Sequence, residues 1–388
     1  MLLLTGDLND VKRILKLQKM TRQQIDKIVS DSSVPGKEQV VETIETLISW
    51  VLICNEFTYK IKRPVQYSFL DFSTIERRKN LSLQECYLNR QLAGDMYVDV
   101  LPVTGTMGDM KIGGNGEIID YAVRMKTMDN NRLMNVMLPF GKVTDKQIEE
   151  LANLIADFHS KSTAIYSHAN YDLTGKFNDL AGQIPFLYGC ISANEVESIK
   201  QSISTFQELS KILMPRLIKR VNLGFFRNCH GDLHSGNIFL MDKPVPFDRI
   251  EFDPELRQID VLNEIAFMCM DLEHFDEPDL SKKFFEIYNM RFPAVLNKED
   301  EYLFLLYKAY RANVCAKVNS LKAQAASDYR LTLSYVENVR RYIRIMRVYL
   351  DHVTSNIKIK NEDDNQKKPQ TGRSQISTAA VSLPSGHN

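Results

Sequence analysis

The sequence predicts an α+β fold in two lobes, a small β-rich lobe followed by a larger helical one. Three observations lead there. Strand-like runs in the first third flank one long polar helix. Most of the remainder repeats its apolar residues every three or four positions. A single turn-prone stretch, His230–Asn237, and a short hairpin after it interrupt that helical pattern. The chain has 388 residues, enough to build two lobes. Its 44% hydrophobic and 25% charged content is that of a globular protein, so disorder of the whole chain is excluded. Lys+Arg and Asp+Glu both number 49, so no net field favours nucleic acid or an anionic membrane, and neither is expected as a partner.

Residues 1–37 read as an N-terminal extension of small amphipathic helices, closed by Val34-Pro35-Gly36. Residues 38–126 form the expected small lobe. Leu47–Cys54, a turn at Asn55-Glu56 and Phe57–Lys62 read as a hairpin. Asp71–Leu92 has helical spacing, with Ser73 as its cap and Glu76 three residues on. Val98–Val103 and Ile118–Met125 read as strands, and the glycines of Lys111–Gly116 mark the turn between them. Residues 127–354 form the helical lobe. Thr144 with Gln147 makes a capping box, and Ile148, Leu151, Leu154, Ile155 and Phe158 line one helix face. Further helices are expected over Asn194–Val221, Val261–Phe275, Leu280–Arg291, Glu299–Leu321 and Tyr329–Val353. Residues 355–388 are polar and low in large apolar groups, and read as a disordered tail. Six scattered cysteines without a CxxC pair fit reduced thiols, and the start of the chain is too short an apolar run for a signal peptide. The expected location is the cytoplasm.

The chemistry concentrates in His230-Gly231-Asp232-Leu233-His234-Ser235-Gly236-Asn237 and, eleven residues on, Asp248. A carboxylate that orients a hydroxyl, with a carboxamide and a second carboxylate that hold a metal, is what phosphoryl transfer from a magnesium nucleotide requires. Asp232 is the candidate base. Asn237 and Asp248 are the candidate metal ligands, and Glu251 either assists the metal or holds Arg249 or Arg257. His230 reads as a brace of the loop. His234 touches substrate or a backbone carbonyl. Asp260 reads as a helix cap that anchors the loop.

At these residues the chain resembles the aminoglycoside phosphotransferase-like branch of the protein-kinase-like fold, through HGDLHxGN and then Phe247-Asp248-Arg249-Ile250-Glu251-Phe252. The resemblance spans roughly residues 38–351. It implies ATP and magnesium as cofactors and a small-molecule hydroxyl as acceptor. It also implies a small-lobe lysine on the phosphates, Lys60 by its apolar neighbours, with Lys62 on the same strand face still open. Glu85 is the expected ion-pair partner of that lysine. Met125-Lys126 is the expected hinge for the adenine edge. Longer relatives carry a P-loop domain, and no GxxxxGK[ST] occurs here. The turn Cys54-Asn55-Glu56 lacks the glycines of a phosphate loop, which motivates a second reading as a non-catalytic nucleotide-binding protein. A protein kinase and a metal-dependent hydrolase lack their signatures. The carboxylate-rich stretch Asp248–Asp279 would suit a cationic substrate. The plainer reading, a solvated helix face plus metal ligands, is preferred.

Overall fold

A computed structural model describes residues 20–67, 70–106, 109–166 and 173–366. The small lobe contains helix α1 (Arg22–Ser30) and strands β1 (Glu42–Glu45), β2 (Ser49–Ile53) and β3 (Phe57–Lys62). Helix α2 (Ile75–Ala93) follows, then β4 (Tyr97–Thr106), β5 (Asp109–Ile112) and β6 (Ile118–Lys126). The sheet is antiparallel, in the order β1-β2-β3-β6-β4-β5. Side chains alternate across it. Tyr59 and Ile61 enter a core with Trp50, Leu52, Val103 and Ala122, closed by Ile25 and Ile28 of α1. The intervening Lys60 and Lys62 therefore emerge together on the other face, which α2 covers.

α2 buries a polar stripe at three- and four-residue intervals: Arg78, Ser82, Glu85 and Asn89. Buried polar groups need partners, and each charged member of this stripe has one. Arg78 grips Asp120 of β6 at 2.9 and 3.0 Å. Glu85 and Asn89 reach into the site described below. The cap of α2 is Thr74, which accepts the Arg77 N–H, and not Ser73, whose own N–H is bound to Asp71.

The large lobe comprises α3 (Asp145–Lys161), α4 (Ala193–Asn222), β7 (Phe226–Asn228), β8 (Ile238–Leu240), β9 (Pro244–Pro246) and β10 (Gln258–Asp260). It continues through α5 (Val261–His274), α6 (Pro278–Arg291), α7 (Lys298–Ala325) and α8 (Tyr329–Gln366). β8 pairs with β9, as the hairpin expectation required, and β7 pairs with β10. The Thr144/Gln147 capping box is present. Ile148, Leu151 and Ile155 are buried on α3, and Leu154 and Phe158 are half-buried.

The order of sheet, helix, interrupted helical lobe and short hairpin is that of the two-lobed protein-kinase-like fold that the motifs resemble. Three expectations are corrected. A strand, β1, precedes the expected first hairpin, and β5 lies inside the expected β4–β6 connection. The helix that was to end near residue 353 runs on to Gln366, across the start of the expected tail. Residues 1–19 of the expected N-terminal helices and 367–388 of the tail lie outside the described residues. No helix among the described residues is long and apolar enough to cross a membrane. All six cysteines are free thiols.

Candidate active site

The loop 230–237 hangs from α5. Glu264 accepts the backbone N–H of His230 at 2.7 Å on one oxygen and that of Gly231 at 2.6 Å on the other. His159 of α3 adds a third contact, Nε2 to Glu264 at 3.0 Å, and its Nδ1 meets the Tyr288 hydroxyl at 2.7 Å. Burial would raise the Glu264 carboxyl, yet His159, His230 and the Gly231 N–H bring it down to about 2. Two turns along the same helix face, Asp271 accepts the Ser235 N–H at 2.7 Å. Arg311 of α7 donates to the Gly231 carbonyl at 3.0 Å and to Asn263 at 2.7 Å. Gly231 itself has φ +92°, and a Cβ there would stand 2.9 Å from the Leu256 carbonyl oxygen. No other residue type fits that backbone without strain.

His230 ties the start of the loop to Phe247. Its Nδ1 accepts the Asp232 N–H at 3.3 Å, so Nε2 carries the proton and donates to the Phe247 carbonyl at 2.9 Å. Burial lowers its pKa, which favours that neutral ring. Asp260 caps α5 through the Leu262 N–H and holds Arg220 at 2.6 and 2.8 Å. His234 caps the short turn after it by accepting the Gly236 N–H, rather than bonding a carbonyl.

Asn237 donates its Nδ2 to both the Asp232 carbonyl (3.0 Å) and Asp232 Oδ2 (2.9 Å). With the amide nitrogen committed to both, the carboxamide oxygen is left for another partner. Asp248 lies in the left-handed region at φ +61°. Strain of this kind persists where neighbours over-determine the backbone. Here the Asp248 N–H meets the Tyr97 hydroxyl at 3.2 Å, and the next residue is clamped by Asn89 of α2. The Arg249 N–H donates to Asn89 Oδ1 at 2.8 Å. The Arg249 guanidinium goes to the carbonyls of Cys229 and Asn228 and to Gln91.

The small lobe delivers both candidate lysines to one glutamate. Lys60 lies 2.9 Å from Glu85 Oε1 and 2.5 Å from Asp248 Oδ1. Lys62 lies 2.5 Å from Glu85 Oε2 and also pairs with Glu251. The two differ in access. The Lys62 side chain is 1% exposed and Lys60 13%. Lys60 is thus the one that faces Asp248. Burial works against the Lys60 charge, but Asp248 and Glu85 hold its pKa well above the ordinary lysine value. Burial pushes Glu251 up, against the pull of Lys62 and with the repulsion of Glu85. The Glu251 carboxylate is paired with Lys62 and takes neither of the expected arginines. Arg257 reaches only its backbone carbonyl, at 3.5 Å.

Two further expectations shift. The first hairpin turn is Thr46-Leu47-Ile48, between β1 and β2, not Cys54-Asn55-Glu56. It also lacks glycine, and the Thr46 hydroxyl already accepts the N–H groups of Ile48 (3.3 Å) and Ser49 (2.9 Å). The expected hinge residues are engaged in the sheet instead. Met125 still lies in the ladder between Thr58 and Tyr97, Lys126 opposes Phe57, and the Thr127 N–H goes to the Glu56 carbonyl. The Lys126 side chain turns outward to Asp95. Open backbone begins at Met128. Within the Asp248–Asp279 stretch, Glu255, Asp276 and Asp279 are exposed, but the carboxylates of α5 and its cap are not a solvated face. Glu264, Asp271 and Asp260 are occupied as above, and Glu273 takes Lys308, Ser281 and Tyr349.

No protein-family model matches the chain. An uncharacterised protein of Mycobacterium tuberculosis and one of Mycobacterium bovis are each 26% identical over 361 residues, which is 89% of this chain and 66% of theirs. The chain thus spans a little under two thirds of the length of these curated relatives. Among solved structures, a choline kinase from Cryptosporidium parvum is 13% identical, with TM-score 0.48, over 88% of this chain and 97% of that one. A spectinomycin phosphotransferase in complex with ADP and spectinomycin is 13% identical, with TM-score 0.46, over 85% and 98%. A choline/ethanolamine kinase family protein from Mesorhizobium loti is 12% identical, with TM-score 0.44, over 84% and 99%.

Proposed function

We propose that the chain transfers the γ-phosphoryl group of magnesium-bound ATP to a hydroxyl of a small molecule. The observation that carries this reading is the adjacency of two separately built groups, linked where the N–H of Phe247, next to Asp248, donates to the Asn237 carbonyl at 2.9 Å. Asn237 is bound to Asp232, and Lys60, paired with Glu85, is bound to Asp248. The donor set fits magnesium: the Asn237 carboxamide oxygen and the Asp248 carboxylate are hard oxygens, and few protein ligands are required. Magnesium would neutralise charge on the phosphate oxygens. Asp232 accepts the hydroxyl proton as that oxygen bonds to the γ-phosphorus, and the bond to the bridging oxygen breaks, its electron pair leaving with ADP. Lys60 steadies the phosphates, Glu85 steadies Lys60, and Lys62 with Glu251 supports Glu85 from behind. Backbone at Met128 and beyond meets the adenine edge. Free thiols suit a reducing compartment, the cytoplasm. Because Asp260, Glu264, Asp271 and Glu273 are occupied, these carboxylates do not call for a cationic acceptor.

One observation favours a second reading, a nucleotide-binding protein without transfer. The turn between β1 and β2 offers no glycine, and the N–H groups of Ile48 and the adjoining Ser49 are already taken. The two readings separate in one experiment. γ-Labelled ATP with magnesium is incubated with a bacterial small-molecule extract and the full chain, beside Asp232→Asn. A labelled product from the unmodified chain alone supports phosphotransfer. No product, with nucleotide binding intact in both, supports the second reading.

A further inference from the structure

The phosphotransfer scheme leaves one ring of the loop without a task. His234 opens the turn Ser235–Asn237, and its Nδ1 accepts the Gly236 N–H at 3.1 Å. That bond sets the tautomer, because an accepting Nδ1 leaves the ring proton on Nε2. Nε2 lies 3.5 Å from Asp232 Oδ2. Gly236 lets the ring fold back over the turn. A Cβ at that position would stand 2.8 Å from His234 Cε1 and 3.1 Å from Nδ1. Phe267 of α5 backs the ring at 5.1 Å between centroids. His234-Ser235-Gly236-Asn237 therefore fixes the ring with Nε2 within 3.5 Å of the candidate base.

Asp232 Oδ2 then faces two donors, Nε2–H of His234 and Nδ2 of Asn237. Among the described residues no hydrogen bond reaches Oδ1. We propose that His234 is a positioning residue for Asp232: its Nε2–H, held by the Gly236 cap, reserves Oδ2 and leaves Oδ1 to take the proton of the acceptor hydroxyl. Its part in turnover rests on the phosphotransferase reading, whereas the pairing rests on geometry alone. The other groups around the pair come from three elements. His230 accepts the Asp232 N–H, Arg311 of α7 holds the Gly231 carbonyl, and Asp271 of α5 holds the Ser235 N–H. Lys322, further along α7, adds a weaker positive charge near His234. None of them supplies a donor in place of Nε2. Burial alone would raise the Asp232 carboxyl, but His234, His230 and Arg311 hold it well below the ordinary aspartate range.

Two amide substitutions separate the two ends of the ring. His234→Asn places an amide oxygen near Nδ1 and keeps the cap. His234→Gln reaches to Nε2 and keeps the donor. On the full chain, magnesium-ATP hydrolysis with water as acceptor is measured for both variants, and the His234 Nε2–H is observed by nitrogen-15-edited NMR in the unmodified chain and in Asp232→Ala. The expected result for His234→Asn is a kcat about tenfold lower at unchanged KM and an unchanged melting temperature. His234→Gln is expected to recover kcat to within about threefold. The unmodified chain should show a downfield Nε2–H signal that Asp232→Ala moves upfield. Wild-type kcat in His234→Asn would reduce His234 to a cap and overturn the proposal. A wild-type chain that leaves ATP intact counts against the phosphotransferase reading instead. The Nε2–H signal then decides the pairing: a shift in Asp232→Ala supports it, and no shift overturns it.

Discussion

On the small-lobe side of the cleft two lysines of one strand converge on Glu85; on the large-lobe side two backbone N–H groups converge on Glu264. Both glutamates are fully buried, but their partners differ in kind. Around Glu85 every partner is a side chain, and two ammonium groups (Lys60, Lys62) face three carboxylates (Glu85, Asp248, Glu251). Such a set can exchange partners. Asp248 can trade Lys60 for another cation, and Lys60 can turn to a phosphate while Glu85 keeps hold of it. Around Glu264 the partners are two peptide groups and a histidine that is itself tied to Tyr288. That set cannot exchange without moving the chain. The difference fits a division of labour in which the small lobe handles charge and the large lobe fixes geometry.

The largest expected effect breaks the fixed side at its working end. Asp232→Asn keeps the shape of the loop and its bonds from Asn237, so nucleotide affinity should be unchanged. Phosphoryl transfer, followed by label release from ATP into product, should fall about 10²- to 10⁴-fold.

Next is a stability comparison between the two anchors, read by urea unfolding. Glu264→Ala leaves two buried N–H groups and a buried histidine without their acceptor, and about 3–5 kcal/mol should be lost. Glu85→Ala leaves Lys60 with Asp248 and Lys62 with Glu251, so the loss should be about half as large. Equal losses would erase the distinction drawn above.

A smaller effect sharpens the view of Lys62 and Glu251 as one buried pair. Lys62→Met and Glu251→Gln each strand a partner. The double variant should be less destabilised than the sum of the two by at least about 1 kcal/mol, measured as a double-mutant cycle. Additive losses would mean that the pair contributes no coupling.

The pH dependence of stability gives a still smaller expected change. The Glu264 carboxyl sits at about 2, below the ordinary 4.5. Its folded form therefore binds the proton less readily than its unfolded form. The stability it contributes is fully present above about 4.5 and is lost as the pH falls towards about 2. Glu264→Gln should flatten that part of the unfolding-midpoint curve, and an unchanged slope would rule the carboxylate out as its source.

The same two regions differ in how far the sequence announced them. The 230–237 loop packs its candidate chemistry into eight consecutive residues, so Asp232, Asn237 and His230 are legible at once. Lys60 and Lys62 share a strand face by simple alternation, and Glu85 falls on the helix that follows. The anchors are distant instead. Glu264 and Asp271 lie 34 and 36 residues beyond the backbone groups they hold, and Arg311 lies 80 beyond Gly231. A local signal for the first two did exist. Acidic residues beside Ile265, Ala266, Phe267 and Met268 sit in a helix that is buried on nearly every side, where an unpaired carboxylate is not tolerated. β1 gave no such signal. Glu42-Thr43-Ile44-Glu45 is a mostly exposed edge strand without alternation, and the first hairpin turn was placed one hairpin too late as a result. The pairing of Glu251 with Lys62 joins positions 189 apart, and only the docking of α2 onto the Phe247–Phe252 segment brings them together.

The most direct test of the account is calorimetric titration of ATP into the full chain, with and without magnesium, for the unmodified protein and Asp248→Asn. If Asp248 and Asn237 form a magnesium–nucleotide site, magnesium should strengthen binding to the unmodified chain about tenfold or more, or about 1.4 kcal/mol. Asp248→Asn should lose that gain and keep the magnesium-independent affinity. The same magnesium gain in both proteins, or none in either, would contradict the account.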